Sequence, residues 1–135
     1  MYTNLNPRTM GLNHHPYEDL LAAAGRCGFG GIEVPAHAFG SVEKAKEAGK
    51  ALADRGMKWG LMMGPCDMFL VGDEEFDKAL EQWARWLERA GAAGCCRAYN
   101  HFWPGNDERD FEENFEWHHK RLQRIYHIMK ENGFQ

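Results

Sequence analysis

No stretch of the 135 residues approaches the roughly 18 uninterrupted apolar residues that a membrane span requires, and no basic segment followed by an apolar one opens the chain. A membrane partner and a signal peptide are therefore not expected, and a cytoplasmic location follows by default. The chain also lacks a surplus of positive charge. Its 16 Lys and Arg are interspersed with 20 Asp and Glu for a net charge of −4, which leaves no basic stripe to neutralise phosphates, so a nucleic-acid partner is not expected. A cysteine framework is missing too. Cys27, Cys66, Cys95 and Cys96 are scattered or adjacent, which fits neither a paired CxxC zinc site nor a disulfide scaffold. They read as reduced thiols, with Cys27, Cys95 and Cys96 packed. No low-complexity region or linker interrupts the chain.

What is present is one domain over residues 1–135, 44% apolar and 27% charged, with short apolar runs alternating with amphipathic stretches punctuated by glycine. Residues 16–27 predict a helix: Pro16 stands in its first turn with Glu18 and Asp19, Leu20, Leu21 and Ala24 share a face, and Gly28 ends it. Gly31-Ile32-Glu33-Val34 reads as a buried strand closed by Pro35. A second helix is expected from Ser41, its N-cap, to Arg55, with Gly56 beyond the end. Residues 57–63 form the next strand. Asp73 is the expected cap of a third helix carrying Phe76, Leu80, Trp83 and Leu87, terminated by Gly91 or Gly94. Residues 95–100 read as a strand, and a last helix carries Phe111, Phe115, Leu122, Ile125 and Met129 on its buried face before Gly133. On that helix His118 and His119 are expected at surface or boundary positions. Residues 1–6 complete the pattern as a first strand, although Asn4 and Asn6 are poor strand formers. Strands alternating with helices of this length imply right-handed crossovers and a parallel α/β sheet. Periodicity alone leaves two architectures open, an open sheet covered on both faces and an arc of a closed barrel with helices only outside.

The junctions Phe29-Gly30-Gly31-Ile32-Glu33-Val34, Gly56-Met57-Lys58 and Ala90-Gly91-Ala92-Ala93-Gly94 resemble those of the xylose isomerase-like TIM barrels, the superfamily of sugar phosphate isomerases, ketose epimerases and endonuclease IV. The resemblance covers essentially the whole chain and implies four βα units, a half TIM barrel corresponding to the N-terminal half of the fold, since a complete barrel takes about 250 residues. Its first and fourth strands would be open edges and its inner face uncovered, an arrangement completed by a second copy or by a missing C-terminal half.

In such barrels working groups lie at the C-terminal ends of strands. Those ends carry Asn6 and Arg8, then His37, then Cys66 and Asp67, then Asn100, His101 and Trp103. His37, Asp67 and His101 have the ligand types of a two-histidine, one-carboxylate metal site. Polar loop lining is the plainer reading of each. The resemblance implies that a divalent metal (Mn, Mg or Zn) is held by Glu, Asp, His and Glu from strands five to eight, which are absent, with two glutamates as acid and base. It leaves this half a substrate wall of Asn6, Arg8, His37, Cys66, Asn100, His101 and Trp103, where Trp103 would pack on a sugar face and Asn100 and His101 would touch hydroxyls. The loop 100–105 is also similar to the strand-four histidine loop of endonuclease IV relatives.

Other features have structural explanations. The glycines at 25, 28, 30 and 31 precede a strand, which suits a helix stop and tight turn instead of a nucleotide loop. His14-His15 reads as a solvated loop, and Met62-Met63 and Trp83/Trp86 as core. Glu33, if buried, needs a partner, for which Arg8 and Lys58 are candidates in a structural ion pair. The leading functional expectation is a metal-dependent isomerase or epimerase of sugars or sugar phosphates, transferring a proton next to a carbonyl. The rival is a noncatalytic half-barrel acting as an assembly module. A third option, an open flavodoxin-like sheet, lacks the glycine-rich loop after its first strand.

Overall fold

The computed structural model describes residues 2–12, 14–64, 66–101 and 105–135, with residues 66 and 67 described by their backbone alone. Strand and helix alternate as β1 (Asn4–Leu5), α1 (Tyr17–Arg26), β2 (Gly31–Ile32), α2 (Val42–Ala53), β3 (Lys58–Trp59), β4 (Met62–Met63), a 3-10 turn (Cys66–Phe69), α3 (Asp73–Ala92), β5 (Ala98–Tyr99) and α4 (Phe111–Glu131). All strand pairs are parallel: β1 with β2, β2 with β3, and β4 with β5. β3 and β4 are two halves of the single strand expected over residues 57–63, interrupted at Gly60-Leu61. The strands thus form two ladders, β1-β2-β3 and β4-β5, continuous through the chain, and the Val34 amide, donating to the Leu61 carbonyl at 3.3 Å, carries the first up to the start of the second.

The strand order decides between the two architectures. Each crossover steps to the next neighbour in the same direction, with no reversal at which a doubly wound sheet would place helices on its second face. Crossovers of one hand then put α1, α2 and α3 on one side, and α4 packs against α3, which is an arc of a barrel. The side-chain alternation agrees. Leu5, Ile32, Val34, Trp59 and Met62 are buried toward the helices, while Asn6, Glu33 and Met63 are only partly covered on the other face. Sequence and structure therefore agree on a half TIM barrel of parallel strands with outer helices.

Local chemistry accounts for the helix ends. Ser41 Oγ accepts from the Lys44 amide, as expected of an N-cap, and Gly56 and Gly94 take the positive φ values at which α2 and α3 end. Gly91 lies inside α3. Asp110 and Glu113 form a capping box that starts α4. The cap of α3 differs from expectation: Gly72 occupies that position, and the Asp73 carboxylate reaches across to Arg121.

The expected face of α4 holds in its C-terminal half, where Ile125 is buried and Leu122 and Met129 pack on the core, but not in its first turns. Phe111 and Phe115 are 77% and 58% exposed, whereas His118 and Arg121 are 7% and 3% exposed. The cause is Arg121. Its guanidinium donates to the Met68 carbonyl at 2.9 Å and to Asp73 at 3.0 Å, and it lies 3.8 Å from the centroid of the Trp117 ring. Arg109 stacks on that ring at the same distance, so the indole is held between two guanidinium groups, with its Nε1 donating to the Phe69 carbonyl. Hydropathy cannot mark an arginine as a core position. Of the three thiols expected to be packed, Cys27 and Cys96 are exposed and Cys95 is buried.

α2 and α3 meet through backbone. A Cβ on Gly49, in the interior of α2, would collide with the Ala93 carbonyl, which also accepts from Trp59 Nε1 at 2.6 Å. These contacts set the expected stabilities of three variants. Gly49→Ala, which would gain up to about 1 kcal/mol in an isolated helix, should instead lose about 1–2 kcal/mol through the forced separation of α2 and α3. Arg121→Ala should cost about 2–3 kcal/mol by stranding the Met68 carbonyl and emptying its slot. Asp73→Asn should cost less than about 1 kcal/mol, because the Asp73 side chain is 84% exposed. Urea midpoints of the three variants check these values.

Candidate functional site: the concave face of the sheet

The uncovered face is built in levels along the strand direction. At the N-terminal end, the Tyr2 ring lies over Gly30 and Gly31, where any Cβ would strike it, and its hydroxyl donates to the Trp59 carbonyl at 2.6 Å. Above it, the Asn4 side chain fills the space over Gly60. At the C-terminal ends, three polar groups converge from different strands. Asn6 Nδ2 donates to Glu33 Oε1 at 2.8 Å, and the Tyr99 hydroxyl approaches the same oxygen at 3.5 Å. Arg8 rests on Met63 through an Nη1–Sδ contact of 3.5 Å, and the His101 ring stands edge-on to Tyr99 with centroids 5.4 Å apart.

The electrostatics follow from this enclosure. Burial pushes the Glu33 carboxyl above its ordinary value, and the hydrogen bonds from Tyr99 and Asn6 and the charge of Arg8 pull it partly back. Tyr99 is raised as well, by burial and by the neighbouring Glu33 charge. Glu33 Oε1 is thus engaged by two donors, while no described residue bonds to Oε2. Its partners are Asn6 and Tyr99, not the ion pair with Arg8 or Lys58 that the sequence led us to expect.

The candidate residues are distributed unevenly. Asn6, Arg8 and His101 surround this cluster. His37 is exposed and its ring packs against Trp86 of α3, with centroids 6.0 Å apart. Asn100 turns to the helix side, beside Gly64 and Trp83, where its Oδ1 is buried with no hydrogen-bond partner among the described residues. The side chains of Cys66 and Asp67, and Trp103 entirely, lie outside the described residues. Among the described residues no three His, Cys, Asp or Glu side chains gather as a metal site. His37 packs on Trp86 and His101 on Tyr99, so the described side chains of this half do not by themselves form a metal cage. Glu33 and Tyr99 were missed as site residues. The signal for both was alternation: each neighbours a residue facing the helices, and so faces the lumen.

The sequence matches the family of xylose isomerase-like TIM barrels over residues 21–135. The chain belongs to that family. Xylose isomerase-like structures similar to it include D-psicose 3-epimerase with D-tagatose from Clostridium cellulolyticum H10 (13% identity, TM-score 0.75, covering 99% of this chain and 50% of that one). The probable 3-DHS dehydratase AsbF of petrobactin synthesis from Bacillus anthracis is similar at 16% identity and a TM-score of 0.78, over 99% and 50% of the two chains. The IolI protein with a bound zinc atom is similar at 14% identity and a TM-score of 0.79, over 100% and 50%. No curated protein matches. The chain spans about half the length of these structures, and at such identities the likeness establishes the fold alone. Among the described residues no helix is long and apolar enough to cross a membrane.

The raised Glu33 carboxyl has a thermodynamic sign. A carboxyl held above its unfolded value favours the fold while protonated, and that contribution disappears as pH rises from the unfolded value of 4.5 through the higher folded value. Glu33→Gln should therefore gain stability relative to the parent protein across that window. Denaturant midpoints of both proteins as a function of pH measure it, and a constant difference would contradict the assignment.

Proposed function

We propose that the concave face is the substrate wall of an isomerase or epimerase acting on sugars or sugar phosphates, by metal-dependent proton transfer at the carbon next to a carbonyl. The observation that carries this reading is the convergence of Asn6, Glu33 and Tyr99 at the C-terminal strand ends, with Arg8 and His101 beside them. Such a set offers hydrogen-bond donors and acceptors for hydroxyls, and a guanidinium for an anionic group. Family membership and the epimerase neighbours support the reaction class. The divalent metal and the acid–base pair would come from a complementary half-barrel or a second copy. His37, Asp67 and His101 remain proposed as accessory donors, and Cys66, Asn100 and Trp103 as further contacts. The chain would act in the cytoplasm.

A second reading, an assembly module without activity of its own, is favoured by the apolar surface left uncovered: Tyr2 and Leu61 on the sheet side, Phe111, Phe115 and Tyr126 on α4. Native mass spectrometry in the presence of manganese, paired with amide NMR titration by D-fructose and D-fructose 6-phosphate, separates the two. The substrate-wall reading expects shifts confined to residues around Asn6, Glu33 and Tyr99. An assembled, metal-free species that is indifferent to both sugars would favour the module and defeat the wall.

A further inference from the structure

We infer that Glu33 is the hydroxyl acceptor of the concave face, taking a hydrogen bond from a neutral polyhydroxylated carbonyl compound through Oε2. The inference rests on the substrate-wall reading above and adds the group that selects its ligand. Glu33 Oε1 is held by Asn6 Nδ2 at 2.8 Å and approached by the Tyr99 hydroxyl at 3.5 Å, so two different strands fix the carboxylate in place. Oε2 is bound by no described residue, and Glu33 itself is partly exposed on the concave side of the sheet by the alternation that buries Ile32 and Val34. A carboxylate fixed on one oxygen and free on the other has already lost its rotamer freedom, so an incoming hydroxyl gains a charge-assisted bond at little ordering cost.

The same group discriminates. A negative charge there repels a carboxylate or phosphate brought to that spot, and the cation nearest to it, Arg8, stands farther along the chain past β1 on Met63. The neutral, hydroxyl-bearing part of a ligand therefore faces Glu33, and an anionic substituent, if there is one, faces Arg8. A buried acid that served only packing would not need its second oxygen open. The structural role read from sequence, an ion pair with Arg8 or Lys58, would have consumed it.

The test uses the full chain, with D-fructose as the probe and NMR as the readout, on the parent protein, Glu33→Gln and Tyr99→Phe. Glu33→Gln keeps the shape and the acceptor to Asn6 but removes the charge, and should weaken D-fructose binding by about tenfold or more with the amide spectrum otherwise preserved. The Glu33 carboxyl carbon in the parent protein should titrate at a lower pH with the sugar bound than without it, because the bond stabilises the charged form. Tyr99→Phe, which removes only the longer of the two donors to Oε1, should weaken binding less than Glu33→Gln. If the parent protein binds and Glu33→Gln binds equally, or if the carboxyl titration is unmoved by sugar, the inference is overturned while the substrate wall stands. If the parent protein binds no sugar at all, the substrate wall itself fails and the inference falls with it.

Discussion

The two parallel ladders, β1-β2-β3 and β4-β5, which follow one another along the chain without reversing direction, govern everything else in this molecule. Because each crossover advances the sheet in one sense, α1 to α3 collect on a single side, and the two faces of every strand meet different fates. Leu5, Ile32 and Met62 enter a dry layer beneath α1 to α3, where burial supplies the stability. The alternate residues Asn4, Asn6, Glu33 and Tyr99 are pushed to the concave side, where they need not be apolar. Chemistry can gather there because the core does not compete for those positions.

Much of the architecture could be read from the residues because its signals are local. Leu20, Leu21 and Ala24 on one helix face, Ser41 as a cap, and Gly56 and Gly94 past helix ends each report on their own neighbourhood, and each is where it was expected. What could not be read depends on a distant partner. Phe111 and Phe115 have the spacing of a buried stripe, yet the first half of α4 is turned by Arg121, whose fitness for burial is created by the Met68 carbonyl and the Asp73 carboxylate from another part of the chain. Asp73 looks like a cap by type, and is drawn off by the same guanidinium.

The candidate site was legible in the same partial way. Listing the residues after each strand found Asn6, Arg8 and His101, but it also gathered His37 and Asn100, which the structure turns toward Trp86 and Trp83. Loop positions do not reveal which way a side chain points. Strand positions do, through the period of two, and Glu33 and Tyr99 were the groups that such a reading would have selected.

The unequal docking of the helices bears on how the molecule breathes. α2 and α3 approach backbone to backbone at Gly49 and Ala93, and neither can drift without pulling Trp59 from its carbonyl. α4 is held by Ile125 and its neighbours on the core, by a guanidinium–indole stack and by a few carbonyl bonds, with Phe111 and Phe115 at its start open to water. The two attachments define separate cooperative units of different free energy. α4 is therefore the element expected to open first, its amides exchanging with solvent ahead of those in α2 and α3.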